Sequence, residues 1–290
     1  MQVGIFYLIK KLQGLLYPFF VLSFIVLMWN VFFYHILFSS LASQNDISRI
    51  FLDTITTYGY HALWFLPCLF YSSVLFYLLR KHHLHHFIWI IIIAFILVFS
   101  ITPKAEVMYN DIVIFFVRIF IGLIYIYIGN IIYFAFYKMP KIWQTISFII
   151  TGLIFLLSCI GYCLFPKWFP FVDIAFSYVE KPIIHLLLAI ANSVFIILIS
   201  KNIVNKVLSF LGKNSIIILA LHMDVTIEIA WMIEARIPWH ANVTLQSIVV
   251  ILIELVLLIF LILFINKFLP FLHQYKLNTS PEIEHLGRTN

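Results

Sequence analysis

The stretch IVIFFVRIFIGLIYIYIGNIIYFAFY, residues 112–137, decides the fold class. The hydrocarbon core of a bilayer is about 30 Å thick, and a helix needs about 20 apolar residues to cross it. This stretch is longer than that and contains a single charged residue, Arg118. It therefore predicts a membrane-spanning helix.

The composition of the whole chain has the same character. Of its 290 residues, 64% are hydrophobic and 10% are charged, whereas soluble domains contain roughly 45–50% apolar and 25% charged residues. A soluble protein of this length could not keep so much apolar surface away from water. We therefore predict an all-α fold, a polytopic transmembrane helix bundle in the lipid bilayer. Residues 1–273 form the membrane domain, and residues 274–290 form a polar cytoplasmic tail.

Eight segments are long and apolar enough to cross a membrane. They are residues 14–38, 61–79, 85–102, 112–137, 144–165, 182–200, 214–234 and 245–270, with boundaries uncertain by several residues. Between residues 166 and 182 we expect an amphipathic, aromatic-rich link.

Basic residues occur in every other connection between these segments. The basic positions are Lys10 and Lys11, Arg80 and Lys81, Lys138 and Lys141, then Lys201, Lys206 and Lys213, and finally Lys267 and Lys276. The intervening loops have no positive excess; the first of them holds Asp46, Arg49 and Asp53. The positive-inside rule then predicts eight spans with both termini in the cytoplasm. The net charge of +6 reflects this topology, and we expect no nucleic acid as a partner.

Two polar residues inside predicted spans are candidates for function, because ionisable groups are costly in a bilayer. Arg118 is expected to form an ion pair between helices, to extend toward the interface, or to bind a substrate or cofactor anion. His222 lies near the middle of its span, either hydrogen-bonded in the core or acting chemically. Asn214 or Ser215, at the start of that span, is suited to cap the helix. Asp224 follows His222 by two positions and points elsewhere on a helix, toward the face of Glu228, so a simple His–Asp pair within this helix is not expected.

The second span has an unusual beginning, HALWFLPCLF, with His61, Trp64 and Pro67. Proline removes a backbone donor, which predicts a kink with freed carbonyl groups beside Trp64. These groups line a pocket in one interpretation, and Trp64 is an interfacial anchor in the other. Four nearby histidines, His82, His83, His85 and His86, resemble a metal site in composition. They follow Arg80 and Lys81 at a membrane boundary, so we predict no metal site.

Several stretches, in order, resemble the membrane acyltransferase 3 family, which includes O-acetyltransferases of bacterial surface sugars. The stretch LGKNSIIILALH resembles a late family signature at Gly212, Asn214, Ser215 and His222. The stretch ALWFLPCLF resembles another at Trp64, Phe65, Leu66 and Leu69. The opening KKLQGLLYPFF and the pair Arg118 and Gly129 also match, and the resemblance extends over about residues 8–270.

The resemblance implies an acyltransferase of the bacterial plasma (inner) membrane with several spans. Such an enzyme transfers an acyl group, usually acetyl, from cytoplasmic acyl-CoA to a hydroxyl of a cell-envelope sugar or glycan. Acetyl-CoA is then a donor substrate, and no bound cofactor is expected.

The resemblance also suggests roles for individual residues. His222 is the candidate base, and Arg118 stabilises an oxyanion or holds an anionic group. The candidate substrate-binding residues are His61, Trp64, Asn214 and Ser215. Three lysines beside the His222 segment, Lys201, Lys206 and Lys213, are either topogenic charges or contacts for the CoA phosphates.

The chain departs from the family pattern in its number of spans. Family members typically have ten, and their first helix carries an arginine followed by a histidine that is regarded as the catalytic base. We expect a family member that lacks its first two helices. Two alternatives are an inactive fragment that depends on a partner supplying those helices, and a transporter or flippase that uses the same polar pocket for passage.

Overall fold

The computed structural model describes residues 2–32, 44–59, 61–81, 111–165, 172–173, 178–179, 181–203, 205–234 and 243–269. These residues are helical apart from short connections and one pair of two-residue strands. The α-helices are α1 Gln2–Lys11, α2 Tyr17–Phe32, α3 Gln44–Ile55, α4 Phe65–Lys81, α5 Asp111–Lys138, α6 Lys141–Leu164, α7 Pro182–Asn202, α8 Lys206–Lys213, α9 Ser215–Leu221, α10 Ile227–Glu234 and α11 Val243–Phe268. Two π-helical segments, Leu12–Leu16 and His222–Thr226, and one 3₁₀ turn, His61–Trp64, connect some of them.

Six helical stretches in the described part of the chain are long and apolar enough to cross a membrane. They are Ile5–Phe32, Ala62–Lys81, Ile112–Phe136, Lys141–Leu164, Ile183–Ser200 and Gln246–Phe268. The prediction of a helical protein with several membrane spans is therefore confirmed, and the predicted boundaries of the last five of these stretches lie close to the observed ones.

The first span begins earlier than predicted. Its helical stretch starts at Ile5, so Lys10 and Lys11 lie inside α1 and do not precede the span. A lysine can occupy such a position because its long side chain carries the ammonium group toward a more polar environment. The Lys11 Nζ atom lies 5.6 Å from the centre of the Tyr7 ring, one turn earlier.

Two predicted spans are not among the six. The segment 85–102 lies outside the described residues, as does the tail 274–290. The segment 214–234 is helical from Ser215 to Glu234, but its middle is the π-helical segment His222–Thr226. The count of eight spans and the cytoplasmic location of both termini therefore remain predictions.

Two local structures were not predicted. The connection that holds Arg49 and Asp53 is the amphipathic helix α3, not a loop; Ile50 is buried, and the Arg49 and Asp53 side chains pair at 3.9 Å. Within the predicted link 166–182, Val172–Asp173 and Tyr178–Val179 form antiparallel strands, β1 and β2. This strand pair is the exception to a helical fold in the described residues.

The chain divides into two compact units. The first comprises Met1–Leu63 with Val207–Asn290, and the second comprises Trp64–Lys206. In the first unit α2 packs against α3 and α9, and α11 packs against the π-helical segment and α10. Its core includes the completely buried side chains of Phe19, Leu22, Val26 and Ile262.

The second unit contains two tightly packed helix pairs, α4 with α5 and α6 with α7. The α4–α5 pair has a core of Leu79, Val117, Ile121, Leu123 and Ile124. In the other pair, the Phe195 ring of α7 lies 5.4 Å from Phe148 and 5.2 Å from Phe155 of α6, between ring centres. Helix α7 begins with Pro182, which lacks the N–H that would have no partner in the first helical turn.

Candidate functional site

His222 begins the π-helical segment, immediately after α9 ends at Leu221. Its Nδ1 atom lies 3.0 Å from the Ile218 carbonyl oxygen and 2.9 Å from the Leu219 carbonyl oxygen. Carbonyl oxygens only accept hydrogen bonds, so Nδ1 carries the proton and donates. The neutral ring then has its free lone pair on Nε2. This arrangement makes Nε2 available as a proton acceptor, which is the property a general base requires.

The last residue of the π-helical segment, Thr226, makes polar contacts with His222 and with a neighbouring helix. The Thr226 hydroxyl lies 3.2 Å from the His222 carbonyl oxygen and 3.5 Å from the Glu254 carboxylate of α11. Thr226 is completely buried, so its hydroxyl has to find its partner within the protein. Short π-helical segments inside longer helices occur frequently at functional sites. The sequence identified His222 as a candidate functional residue but did not predict the π-helical segment.

Glu228, the second residue after the π-helical segment, contacts α2. Its Oε2 atom accepts a hydrogen bond of 3.4 Å from the Trp29 indole N–H. The side chain of Asp224 lies outside what the structure describes, so the prediction that it points away from His222 stays a prediction. Glu228 on α10 and Glu254 on α11 are thus carboxylates of the first unit on helices that adjoin the His222 segment.

Asn214 occupies the N-cap position of α9, but its side chain makes no capping bond there. Its Nδ2 atom donates to the Phe210 carbonyl oxygen at 2.7 Å, and its Oδ1 atom accepts from Asn266 of α11 at 3.0 Å. The prediction that Asn214 caps the helix was wrong, because a cap uses the side-chain oxygen and Asn266 occupies that oxygen. Its predicted role in substrate binding stays a prediction. Ser215, the first residue of α9, is exposed.

The second unit holds two of the predicted residues, Arg118 and Trp64, and brings them into contact. The guanidinium carbon of Arg118 in α5 lies 4.9 Å from the centre of the Trp64 ring. This distance is typical of a cation–π interaction, which partly offsets the cost of the charge in an apolar region. The Cys68 thiol of α4 donates to the Arg118 carbonyl oxygen at 3.0 Å, so Arg118 contacts both α4 and the 3₁₀ turn before it.

The sequence predicted a kink near Pro67 at the start of the second span. The structure has a 3₁₀ turn just before this proline. The 3₁₀ turn His61–Trp64 leads into α4, and Pro67 is the third residue of that helix. In a regular α-helix the N–H of residue 67 would bond to the carbonyl of residue 63, and proline has no N–H. The carbonyl group that proline leaves without this bond belongs to Leu63, which is a residue of the 3₁₀ turn. The side chain of His61 lies outside what the structure describes.

The predicted residues therefore divide between the units. His222, Asn214 and Ser215 belong to the first, while Arg118 and Trp64 belong to the second. Lys206 and Lys213 are exposed on α8, at its first and last positions. The histidines His82, His83, His85 and His86 lie outside the described residues.

Sequence reasoning missed one polar pair in the second unit. The Tyr125 hydroxyl of α5 and the Nε2 atom of His185 in α7 are 3.0 Å apart. A histidine in the apolar run that begins at Pro182 is itself a signal for function, and it was overlooked.

Beside this pair lies a cavity of about 570 Å³ between α5 and α7, which we call the α5–α7 cleft. Its lining is apolar apart from Tyr125, Tyr133 and Ser193. Gly129, which belongs to the family resemblance, also lines it.

Comparison of the chain with protein-family models, with curated proteins and with solved structures finds no match.

Proposed function

We propose that the protein is a membrane-embedded acyltransferase that transfers an acyl group, in the first instance acetyl, from acyl-CoA to a hydroxyl of a cell-envelope sugar or glycan. The observation that supports this proposal most directly is the hydrogen bonding of His222. Its Nδ1 atom is engaged by two backbone carbonyls, which leaves Nε2 as a base in the neutral ring.

The proposed reaction uses His222 as a general base. Nε2 takes the proton of the acceptor hydroxyl while the hydroxyl oxygen attacks the thioester carbonyl carbon. The carbon–sulfur bond of the tetrahedral intermediate then breaks, and the sulfur of CoA leaves with the proton from the imidazolium. A sugar ester and free CoA are the products. A positioned general base typically contributes about 10²–10⁴-fold to such a rate.

Arg118 is proposed separately, as a cation that holds an anionic group of a substrate. The Trp64 ring, 4.9 Å from its guanidinium carbon, helps to position this cation, whose planar group carries five donors. The exposed Lys206 and Lys213 on α8 are proposed to attract the CoA phosphates at the cytoplasmic surface. We further propose the bacterial plasma membrane as the location, with both termini in the cytoplasm.

The test is transfer of label from [¹⁴C]acetyl-CoA to base-labile ester in membranes that contain the full chain. His222→Asn is the informative variant, because the asparagine amide can still donate to a backbone carbonyl but has no group equivalent to Nε2. We expect transfer to fall by about 10²–10⁴-fold in this variant. Met223→Leu is the matched control, since Met223 is the exposed neighbour of His222, and it should transfer normally.

Two outcomes would count against the proposal. Unchanged transfer by His222→Asn removes His222 from the mechanism. No transfer by the wild-type chain, together with solute passage into liposomes without any acceptor, would favour the transporter or flippase alternative.

A further inference from the structure

Helix α8 is amphipathic, and the described part of the chain does not cover its apolar side. Lys206 and Lys213, its first and last residues, are about two turns apart and therefore lie on one face. Leu208 lies on the opposite face, with Val207 beside it. Both apolar side chains are exposed, at 53% and 63%, and no residue of α8 is buried.

Two observations place α8 at a surface of the bilayer. Along the chain, α8 begins shortly after Ser200, the last residue of the apolar stretch that α7 contributes. At its other end α8 is followed by Asn214, which accepts a hydrogen bond of 3.0 Å from Asn266 of α11. Asn266 lies in the last turn of the apolar stretch Gln246–Phe268. Both ends of α8 are therefore tied to the end of a spanning helix, where the hydrocarbon core gives way to the head groups.

The surface beside α8 is basic. Residues 182–223 and 255–276, which include α8 and the end of α11, contain no aspartate or glutamate. Lys213 directly precedes Asn214 and Lys267 directly follows Asn266, so the bond between the two asparagines keeps these lysines at the same end of the first unit. Both lysines are exposed. We call Lys213 and Lys267 the basic rim.

The distribution of residues around α8 is typical of a helix that lies in a membrane interface. In such helices the apolar side chains enter the boundary between head groups and acyl chains, and lysines on the other face attract anionic lipids. The positive-inside rule explains why lysines occur on one side of a membrane. It does not explain their separation from Val207 and Leu208 around the helix, whereas an anionic lipid surface explains both features.

We propose that α8 lies in the plane of the bilayer surface and that the basic rim binds the head groups of anionic phospholipids. Val207 and Leu208 lie among the first carbons of the acyl chains, and Lys213 and Lys267 contact the phosphate groups. CoA also carries phosphates, but a soluble ligand leaves the apolar face of α8 uncovered, so we assign the surface to lipid. This binding is separate from the proposed chemistry at His222 and does not depend on it.

The experiment is photo-crosslinking of the full chain in liposomes that contain equal amounts of phosphatidylglycerol and phosphatidylcholine. The photoreactive residue p-benzoylphenylalanine replaces Leu208, and mass spectrometry counts the adducts of each lipid. We expect phosphatidylglycerol adducts to exceed phosphatidylcholine adducts by about fivefold, the effect of one lysine at an anionic surface. High salt should reduce this excess, because it screens exposed charges.

The double variant Lys213→Gln, Lys267→Gln should bring the two kinds of adduct close to equality. Both side chains are exposed, so we expect this variant to fold as the wild-type chain does. The matched control has p-benzoylphenylalanine in place of Leu52 on α3. This helix is also amphipathic and Leu52 is also exposed, but α3 contains two aspartates and one arginine. Adducts at Leu52 should show no excess of phosphatidylglycerol.

Absence of lipid adducts at Leu208 would overturn the proposal, because α8 would then not lie in the bilayer surface. Equal adducts of the two lipids at Leu208 would overturn it as well, and so would an excess that persists in the double variant. Loss of the excess when CoA is added would assign the lysines to soluble phosphate groups and would also contradict binding of lipid head groups.

Discussion

Gly122 of α5 lies directly against the Ser72 hydroxyl of α4. A Cβ atom added to Gly122 would overlap Ser72 Oγ and would lie 3.2 Å from Ser72 Cβ and 3.3 Å from Cys68 Sγ. The Ser72 hydroxyl itself donates to the Ile119 carbonyl oxygen of α5 at 2.8 Å. The two helices therefore approach through small residues, as membrane helices commonly do.

Gly122→Ala should destabilise the protein by about 1–3 kcal/mol, because the methyl group displaces Ser72 and the buried helix pair has no space for it. Thermal unfolding in detergent measures the effect. Gly129→Ala is the control on the same helix: its Cβ meets nothing within 4 Å, and alanine favours the helix by up to about 1 kcal/mol. Equal stability of the two variants would contradict the close contact at Gly122.

The Arg118–Trp64 contact predicts an energetic coupling between α5 and the 3₁₀ turn that precedes α4. Trp64→Leu and Arg118→Met should show a coupling energy of about 0.5–2 kcal/mol in a double-mutant cycle, the range of cation–π interactions. Phe65→Leu, next to Trp64 and exposed, should be additive with Arg118→Met. Additivity of both pairs would mean that the contact contributes nothing to stability.

The His222 hydrogen bonds predict a tautomer that can be measured. In ¹⁵N spectra of histidine-labelled protein at a pH where the ring is neutral, His222 should show a protonated Nδ1 and an unprotonated Nε2. The reason is that both observed partners of Nδ1 are carbonyl oxygens. His222→Asn identifies the resonance by its disappearance. A ring protonated at Nε2 would remove the observation on which the proposed function depends.

Membrane spans were the most predictable part of the fold. A run such as 112–137 has enough apolar residues to cross a bilayer whatever its neighbours are, so α5 was located within a residue at each end. The position of α7 followed equally from its apolar run and from Pro182.

Contacts between distant residues were not predictable from one sequence. Nothing local indicates that Arg118 lies over Trp64, or that Tyr125 meets His185. Asn214 was expected to cap α9 from its residue type, but its side-chain oxygen accepts from Asn266 of α11 instead. The contact of Thr226, in the π-helical segment, with Glu254 likewise joins residues that are distant in the sequence.

The predicted topology can be tested with two reporter fusions. Alkaline phosphatase fused after Gly59 should be active, because that connection is predicted to lie outside. The same reporter fused after Met139, between Lys138 and Lys141, should be inactive because basic loops remain in the cytoplasm. Green fluorescent protein at the same positions gives the reciprocal control. If the reporters place both positions on the same side of the membrane, the segment 85–102 does not cross it.

The Asn214–Asn266 bond predicts unequal effects for its two partners. Asn214 is buried, donates to Phe210 and accepts from Asn266 at 3.0 Å, whereas the Oδ1 atom of Asn266 is buried without a hydrogen bond among the described residues. Asn214→Ala should cost about 1–3 kcal/mol, since it leaves the Asn266 amide without its acceptor. Asn266→Leu should cost less, because it removes an unsatisfied oxygen together with the bond.

The coupling energy between the substitutions at Asn214 and Asn266 should be about 0.6 kcal/mol, the average for hydrogen bonds between membrane helices. Thermal unfolding of both variants, with the exposed neighbour Ser215→Ala as control, measures the order. A larger loss for Asn266→Leu than for Asn214→Ala would show that the α11 side of the bond carries the stabilisation.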